Sequence, residues 1–256
     1  MLIAIDCGNT NLVIGMLDGI TLKAQFRVST REVHTAAEIT VLVKSWMKRE
    51  EIDPAGVDGV VLATVVPRMR DELVSMSEHV FGCAPLTVGD VGTDLGIEVR
   101  MDRPGDVGAD RLVNAVSAHA TYGGPLIVLD FGTATTFDVV DSDGNYRGGV
   151  IAPGVNLSLE ALHAAAAKLP KVLIKKPAHT IGTDTVSAMQ SGIYWGYIGL
   201  IEGIVERIRA EMNGDPKLIA TGGLAHFYAD STDVISQVDS DLTLRGLAEV
   251  WNRNQT

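Results

Sequence analysis

The sequence has few cysteines and no dense cluster of basic residues, and each shortage excludes a class of protein. Two cysteines, Cys7 and Cys83, are too few for a disulfide framework, and neither belongs to a C-x-x-C pair. The 21 Lys and Arg residues stand against 32 Asp and Glu residues, and the formal net charge of −11 argues against a nucleic-acid-binding face. We therefore expect a cytoplasmic protein without structural zinc or a nucleic-acid partner.

Long apolar runs free of charge are also missing. The most hydrophobic stretch, residues 188–208, still carries Glu202 and Arg207, which predicts a buried helix and not a membrane span. The N-terminus has no basic segment and reaches Asp6 after a short apolar run, unlike a secretion signal. With 256 residues, 46% of them hydrophobic, the chain is long enough for one or two globular domains, and we expect no membrane partner.

Several common catalytic motifs do not occur in the sequence. It contains no G-x-x-x-x-G-K-[ST], no G-x-G-x-x-G, no G-x-S-x-G and no H-E-x-x-H. The 6 histidines are scattered without the spacing of a metal site. A P-loop nucleotide site is therefore excluded, and we expect the histidines to be surface or core residues and not metal ligands.

An internal repeat is the most informative feature that is present. Residues 2–10 (LIAIDCGNT) align with residues 126–134 (LIVLDFGTA), and both are apolar runs that end in Asp-x-Gly. A second apolar segment, a turn and a third segment follow each copy, which predicts a β-hairpin. Later in each half an apolar run ends in Ala-Thr, at residues 60–64 and 217–221, before a predicted helix. The alternative is chance similarity between two buried strands built from the same residue types.

Helical patterns separate the predicted strands. Thr35 is a candidate N-cap for a helix over residues 36–48, with Glu38 at the capping-box position. Residues 110–120 place apolar side chains on one face of a second helix. Strands that alternate with helices predict an α/β fold of two similar units.

The boundary between the two units is predicted at a glycine-rich turn, Tyr122–Pro125, because glycine and proline interrupt regular structure there. No low-complexity segment or charge run offers a competing linker. We expect an N-terminal domain of residues 1–122 and a C-terminal domain of residues 123–256.

The two Asp-x-Gly turns have residue types that suit nucleotide phosphates. In the first turn glycine allows close backbone approach, residues 9–11 offer amide and hydroxyl groups, and Asp6 can hold a hydrated cation. A hairpin turn whose polar side chains satisfy only their own backbone is the alternative. The recurrence of the pattern at Asp130–Thr136 favours phosphate binding, and two such turns would face each other across an interdomain cleft.

A carboxylate and a guanidinium stand together at the predicted start of the second helix, in Gly108–Arg111. Because a helix N-terminus favours anions, Asp110 could accept a hydroxyl proton there while Arg111 holds an acidic group of the substrate. The alternative is an N-cap at Asp110 with an exposed Arg111. The glycine-rich segment 220–225 is likewise either an adenosine-binding turn or an ordinary turn between a strand and a helix.

Together, five ordered motifs resemble those of type III pantothenate kinases, within the superfamily of sugar kinases, actin and heat-shock ATPases. The motifs are Asp6–Asn11, Gly108–Arg111, Asp130–Thr136, Gly149–Gly154 and Gly182–Thr185. The resemblance spans residues 1 to about 225. It implies duplicated ribonuclease H-like, actin-like ATPase domains and a cytoplasmic kinase that phosphorylates pantothenate with ATP, the first step of coenzyme A biosynthesis.

The same resemblance implies the residues that bind ATP and cations. The ATP-phosphate turn would consist of Asp6, Gly8, Asn9, Thr10, Asn11, Leu12 and Val13. Thr133 would contact ATP, and Asp130 would hold a monovalent cation, K⁺ or NH₄⁺. Carboxylates beside a polyphosphate repel it unless cations offset the charge, so Mg²⁺ is expected with the ATP.

The pantothenate site is implied in the same way. Its residues would be Gly108, Ala109, Asp110, Arg111 and Thr185, with Asp110 as the proton acceptor. Two positions depart from the family pattern. Met101 stands where a substrate-contacting tyrosine is expected, and Asp184 stands where Asn is more usual.

A homodimer is the last expectation. Residues 187–209 read as one helix with two Gly-x-x-x-Gly patches and an apolar surface wider than packing in one domain requires. The apolar residues are Met189, Ile193, Tyr197, Leu200, Ile201, Ile204, Val205 and Ile208. The resemblance implies a C₂ dimer whose second subunit helps to close the pantothenate pocket near Thr185. The alternative is that the glycine patches serve internal helix packing.

Two other functions compete with the kinase. A phosphohydrolase of the same fold would use water as the acceptor, and the Gly108–Arg111 and Gly182–Thr185 segments would then have no assigned role. An ATP-binding regulatory protein would have lost turnover, and the presence of Asp6, Asp110 and Asp130 argues against it.

Overall fold

The computed structural model describes residues 1–166, 169–212 and 214–255. The strands of the first sheet are β1 (Leu2–Cys7), β2 (Asn11–Asp18), β3 (Thr21–Ser29), β4 (Gly59–Thr64) and β5 (Leu86–Thr87). Those of the second sheet are β6 (Leu126–Phe131), β7 (Ala134–Val140), β8 (Tyr146–Pro153), β9 (Lys217–Gly222) and β10 (Gln237–Val238). The helices are α1 (Ala36–Arg49), α2 (Pro67–Phe81), α3 (Ala109–Tyr122), α4 (Val155–Ala165), α5 (Thr185–Met212), α6 (Ala225–Ala229) and α7 (Leu242–Arg253).

Both five-stranded sheets have the same strand order. The first runs β3-β2-β1-β4-β5, and the second, read from its far edge, runs β8-β7-β6-β9-β10. β1 pairs antiparallel with β2 and parallel with β4, and β6 correspondingly pairs parallel with β9. The sequence repeat thus marks the central strand of each sheet, and the predicted duplication of an α/β unit is confirmed.

The first sheet carries helices on both faces. Successive side chains of its central strand point in opposite directions, so alternate residues pack against the helices on one face and on the other. Ile3 and Ile5 of β1 belong to one hydrophobic cluster with residues of α1 and α2. Leu2 and Ala4 belong to a second cluster with residues of α3 and α7. The strand is therefore apolar without interruption until Asp6, the first residue whose side chain has a chemical use.

The start of α1 follows the sequence prediction. The Glu38 N–H donates to the Thr35 hydroxyl, and the Glu38 carboxylate accepts from the Thr35 N–H at 3.0 Å, which completes the capping box. The bonds from the N–H groups of His34 and Thr35 lower the pKa of the Glu38 carboxyl, since they favour its charged form. The predicted helix over residues 36–48 is confirmed.

The chain divides into two compact units whose boundaries differ from a single cut at residue 122. Unit 1 comprises Met1–Gly123, Val140–Gly148 and the segment from Asp241 onward, and unit 2 comprises Gly124–Val139 and Gly149–Ser240. The last segment joins unit 1 because α7 packs against α3 and β1. Gly246 lies so close to the Val113 carbonyl that a Cβ there would overlap it, and the Thr243 hydroxyl donates to the Asn114 side chain at 2.7 Å.

The long helix α5 contradicts part of the sequence interpretation. The eight apolar residues that predicted this surface are buried or half-buried, and all of them except Met189 belong to or pack against the hydrophobic cluster of unit 2, whereas Val186 and Trp195 of the same helix are exposed. The view that this surface is wider than its own unit needs was therefore wrong. By contrast, Gly192, Gly196 and Gly199 are exposed, with open space where a Cβ would be built. The alternative of internal packing at these glycines is also wrong.

Within the described part of the chain, none of the helices combines the length and the apolar composition that a membrane crossing requires.

Candidate active site

The first Asp-x-Gly turn joins β1 to β2. The Gly8 N–H donates to the Asn11 carbonyl at 2.9 Å, which closes a short turn with Asn9 and Thr10 exposed at its tip. Leu12 and Val13 are buried at the start of β2, where they anchor the turn in the sheet. The predicted ATP-phosphate segment thus presents polar groups at its tip and apolar groups at its base.

Thr30 holds this turn from outside, although the sequence analysis did not single it out. Its hydroxyl donates to the Gly8 carbonyl at 2.8 Å, and its N–H donates to the Thr10 carbonyl at 2.9 Å. Its own carbonyl accepts from the Arg68 guanidinium at 3.0 Å. A buried threonine 22 residues away in sequence gives no local signal, so only the folded structure reveals this contact.

Asp6 lies near the carboxyl end of β1, with Val13 and Ala63 as its partners on the neighbouring strands. Burial raises the pKa of the adjacent Cys7 thiol, and the charge of Asp6 acts in the same direction. The thiol is therefore neutral at pH 7 and adds no negative charge beside the turn.

The Gly108–Arg111 segment reaches the same end of the first sheet. Val65, directly after β4, donates its N–H to the Cys7 carbonyl at 3.1 Å. A Cβ built on Gly108 would lie 3.3 Å from Cγ1 of Val65. Since β1 and β4 are parallel, their carboxyl ends meet at one edge. The structure thus brings together the phosphate turn and the segment predicted to bind pantothenate.

The geometry of this segment excludes an N-cap role for Asp110. α3 begins at Ala109 with Gly108 as its N-cap, and the cap has no side-chain hydrogen bond. Asp110 lies in the first turn, where its Oδ1 accepts from the Arg111 N–H at 2.8 Å. All four residues of the segment are half-buried. Asp110 and Arg111 both lie in the first turn of α3, near the helix N-terminus.

Arg111 lies against an aromatic ring, contrary to the alternative of a solvent-exposed arginine. Its Cζ is 5.8 Å from the centroid of the Tyr146 ring. Tyr146 is the first residue of β8 and is completely buried. Sequence reasoning missed it because it is distant in the chain and belongs to a hairpin of the second half.

In unit 2, the second Asp-x-Gly turn joins β6 to β7. The Gly132 N–H donates to the Ala134 carbonyl at 3.0 Å, and Thr133 is exposed at the tip. Asp130 pairs with Thr221 on β9. Gly154 packs against the backbone of Thr133 so closely that a side chain at that position would overlap it.

Gly222, in the segment considered for adenosine binding, is constrained by Asp130. Its φ is 89°, and a Cβ on it would lie 2.5 Å from Oδ1 of Asp130 and 2.7 Å from the Phe131 backbone. Only glycine fits both the conformation and the space. Oδ1 of Asp130 therefore lies close to the backbone of Gly222 and Phe131, an arrangement that we call the Asp130 cradle, and carboxylate oxygen is a ligand type that K⁺ and Mg²⁺ bind.

Thr185 is the exposed first residue of α5, and the aspartate before it begins the helix. Oδ1 of Asp184 accepts from the Ser187 N–H at 3.0 Å, and the Ser187 hydroxyl accepts from the Asp184 N–H at 3.2 Å. The bonds from Ser187 lower the pKa of Asp184. This departure from the family pattern therefore has a structural role as a helix cap, in which Asn would serve as well.

An open groove in unit 2 includes Thr185. It has a volume of about 580 Å³ and is lined by Leu162, Leu169, Thr185, Ala188, Met189, Gly192 and Ile193. The lining is apolar apart from the threonine hydroxyl. Among the residues described here, no three His, Cys, Asp or Glu side chains form a group suited to a metal ion.

The second departure from the family pattern, Met101, is partly exposed at 37%. It follows Arg100, whose N–H donates to the Tyr146 carbonyl at 2.8 Å. A methionine there offers a flexible apolar surface without the hydroxyl of the expected tyrosine.

Comparison with known proteins decides the family. A sequence model described as type III pantothenate kinase matches residues 2–207. The chain belongs to the type III pantothenate kinase family. A type III pantothenate kinase of Paramagnetospirillum magneticum is 56% identical over 256 residues, covering 100% of this chain and 98% of that protein. One from Rhodospirillum rubrum is 52% identical over 255 residues, covering 100% of this chain and 99% of that protein.

Solved structures extend the likeness of this type III pantothenate kinase family member to the fold. A Campylobacter jejuni protein described as a Baf family transcriptional activator superposes with a TM-score of 0.61 at 18% identity, over 98% of each chain. A Sinorhizobium meliloti protein described as a 2-dehydro-3-deoxygalactonokinase gives 0.57 at 13% identity, over 100% of this chain and 97% of that chain. The actin-like, sugar-kinase type of fold expected from the sequence is confirmed.

Proposed function

We propose that this protein transfers the γ-phosphoryl group of ATP to the primary hydroxyl of pantothenate. The products are 4′-phosphopantothenate and ADP, and the reaction is the first step of coenzyme A biosynthesis. Family membership supports the reaction. The observation that supports the assignment of residues is the close approach of Gly108 to Val65, because Val65 follows β4 at the strand edge where the proposed phosphate turn also lies.

Asp110 is the proposed proton acceptor. Phosphoryl transfer asks the protein mainly for positioning and charge stabilisation, and a positioned base contributes about 10²–10⁴-fold. The Asp110 carboxylate is fixed by the Arg111 N–H and half-buried at the start of α3. The Asp110 carboxylate would accept the proton of the pantothenate hydroxyl as the hydroxyl oxygen attacks the γ-phosphorus and ADP leaves. Arg111 would bind the carboxylate of pantothenate, since guanidinium and carboxylate form paired hydrogen bonds.

The turn from Asp6 to Val13 is the proposed site for the ATP phosphates. Its tip residues are exposed and polar, and Thr30 donates hydrogen bonds to the carbonyl groups of both Gly8 and Thr10, which fixes the backbone of the turn. In unit 2, Thr133 is proposed to contact ATP. The Gly132 and Thr133 backbone is exposed and closely backed by Gly154, which suits a rigid contact.

Cations are proposed at the carboxylates. Asp130, in its backbone cradle beside Gly222, fits a monovalent cation such as K⁺ or NH₄⁺, and Asp6 fits Mg²⁺ that accompanies ATP. Bound there, the cations would offset the negative charge of the phosphates. Asp6 and Asp130 both offer carboxylate oxygens, which are the ligand type that these cations prefer.

We propose a C₂ homodimer with the glycine face of α5 at the interface. Gly192, Gly196 and Gly199 are exposed with open space above them, and Trp195 on the same helix is 36% exposed. Such a flat face permits close approach of a second backbone. Thr185, at the start of the same helix, is proposed to contact pantothenate. A cytoplasmic location is supported by the two cysteines, both of which are free.

One assay separates this function from its competitors. ADP release is measured with a coupled system in the presence and absence of pantothenate. A kinase releases ADP only when pantothenate is added, a phosphohydrolase releases it regardless of pantothenate, and an ATP-binding regulatory protein releases none. Repeating the assay in Na⁺ and K⁺ buffers tests the cation proposal, which requires higher turnover in K⁺.

A further inference from the structure

The aromatic ring of Tyr146 lies beneath the guanidinium of Arg111. The distance of 5.8 Å from Cζ to the ring centroid lies within the range in which the negative face of an aromatic ring attracts a cation. The ring is buried at 0% exposure, whereas Arg111 is half-buried. The surrounding side chains therefore hold the Tyr146 ring in place, and the more exposed Arg111 guanidinium lies over this fixed ring.

The backbone of Tyr146 is fixed independently of its ring. Its N–H donates to the Glu98 carbonyl at 2.9 Å, and its carbonyl accepts from the Arg100 N–H at 2.8 Å. The Asn145 side chain also accepts from the Glu98 N–H at 3.1 Å. The segment leading to the Gly108–Arg111 motif is thus tied to the hairpin tip, which we define as residues 140–148. Replacing the ring leaves these anchors in place.

The hairpin tip also packs against the far end of α3. Gly144 has a φ of 89°, and a Cβ on it would lie 2.6 Å from Nδ1 of His119. Nε2 of His119 is 3.3 Å from the Ser142 carbonyl oxygen. His119 and Arg111 are about 12 Å apart along a helix that rises 1.5 Å per residue. Contacts at both ends of α3 fix the position of the tip, and with it the ring, relative to Arg111.

We propose that Tyr146 is a positioning residue for substrate recognition, whose ring holds the Arg111 guanidinium in the orientation that binds the pantothenate carboxylate. The inference rests on the proposed function, which gives Arg111 its ligand. A free arginine side chain loses rotamer freedom when it binds, and a guanidinium already stacked on a ring loses less. The predicted consequence is tighter pantothenate binding without a direct contact between Tyr146 and the substrate.

The stacking is tested first without any activity measurement. An aromatic ring beneath Arg111 shifts the NMR signals of the Arg111 side-chain protons upfield. We expect that shift in the parent protein and in Tyr146→Phe, and its loss in Tyr146→Leu. Arg111 signals at ordinary positions in the folded parent would overturn the inference even if pantothenate proved not to be the substrate.

The effect on recognition is tested by steady-state kinetics with a series that preserves shape. Tyr146→Phe is compared with variants that carry mono-, di- and trifluorinated phenylalanine at position 146, in which fluorine progressively removes the negative charge of the ring face. The KM for pantothenate should rise stepwise, by about 5-fold to 30-fold at the end of the series, which is the range of a partly desolvated cation–π pair. The kcat and the KM for ATP should stay constant.

Arg147→Ala is the matched control, because Arg147 lies next to Tyr146 on the same hairpin tip and is exposed, pairing with Asp141 at 3.7 Å. It should leave the pantothenate KM unchanged. A pantothenate KM that is flat across the fluorinated series, or that rises equally in Arg147→Ala, would overturn the positioning role. Absence of pantothenate turnover in the parent would instead contradict the proposed function, and the NMR result would still decide the stacking.

Discussion

The Thr30 hydroxyl donates a hydrogen bond of 2.8 Å to the carbonyl oxygen of Gly8. Thr30 is only 1% exposed, and its N–H donates to the Thr10 carbonyl as well. One buried residue thus holds two backbone carbonyl groups of the turn proposed to bind the ATP phosphates. Thr30, which has no proposed role in the chemistry, therefore fixes the backbone geometry of the proposed phosphate turn.

Replacing Thr30 with valine keeps the shape of the side chain and removes the hydroxyl. The Gly8 carbonyl then loses a partner in a half-buried site, at a cost of about 1–3 kcal/mol. We expect a lower melting temperature and a KM for ATP raised by about 5-fold or more, with the pantothenate KM unchanged. Thr30→Ser, which retains the hydroxyl, should restore the ATP KM. An unaltered ATP KM in Thr30→Val would remove Thr30 from this role.

Gly222 and Gly223 form a matched pair for testing the Asp130 cradle. Gly222→Ala forces a Cβ to 2.5 Å from the Asp130 carboxylate at a φ of 89°, whereas nothing lies within 4 Å of a Cβ at Gly223. We expect Gly222→Ala to lose about 1–3 kcal/mol of stability from backbone strain, together with the response of turnover to K⁺. Gly223→Ala should retain both, as measured by chemical denaturation and by K⁺ titration. Equal behaviour of the two variants would contradict the cradle.

The Asp184 cap predicts a pH dependence of stability. The bonds from Ser187 lower the pKa of Asp184, so the folded state favours the ionised carboxylate. This contribution is fully present above the ordinary pKa of about 4 and is lost as the pH falls through the lowered value. Asp184→Asn keeps a cap and removes the titration, so its melting temperature should fall less than that of the parent between pH 5 and about 2.5. Parallel acid profiles of the two proteins would count against the cap.

Several features of the fold could be predicted from particular residues of the sequence. The repeat at residues 2–10 and 126–134 predicted two matching sheets, because a buried central strand needs an uninterrupted apolar run and its sharp turn needs Asp-x-Gly. The predicted Thr35 cap of α1 followed from local chemistry in the same way. The site residues themselves remain proposals that rest on the family motifs.

Long-range contacts could not be predicted. Thr30 and Tyr146 act across distances in the chain for which no local pattern exists, and α7 joins unit 1 only because its apolar face fits the side of the sheet left open by α3. The apolar surface of α5 was misread for a similar reason. Composition alone does not reveal which stripe of a 28-residue helix faces its own core.

The glycine face of α5 gives a test of assembly. Gly196→Leu meets nothing within 4 Å in the single chain, and leucine favours a helix by about 1 kcal/mol over glycine. The variant should therefore fold. Light scattering should show that its dimer dissociates at a higher protein concentration than the parent dimer, and its pantothenate turnover should be reduced. Ser45→Leu, at an exposed position of α1, is the control and should leave the dimer intact. A parent that is a fully active monomer would contradict the dimer.

The most direct test of the central claim is to follow product formation by the parent and by Asp110→Asn. The variant should keep its fold, because Gly108 is the N-cap of α3 and the Asn side-chain oxygen can still accept from the Arg111 N–H. Circular dichroism and ATP binding check this. With ATP, Mg²⁺, K⁺ and pantothenate, ³¹P NMR should show 4′-phosphopantothenate and ADP forming in equal amounts with the parent, and about 10²–10⁴-fold more slowly with the variant. Comparable rates of phosphopantothenate formation by both proteins, or no phosphopantothenate from the parent, would contradict the account.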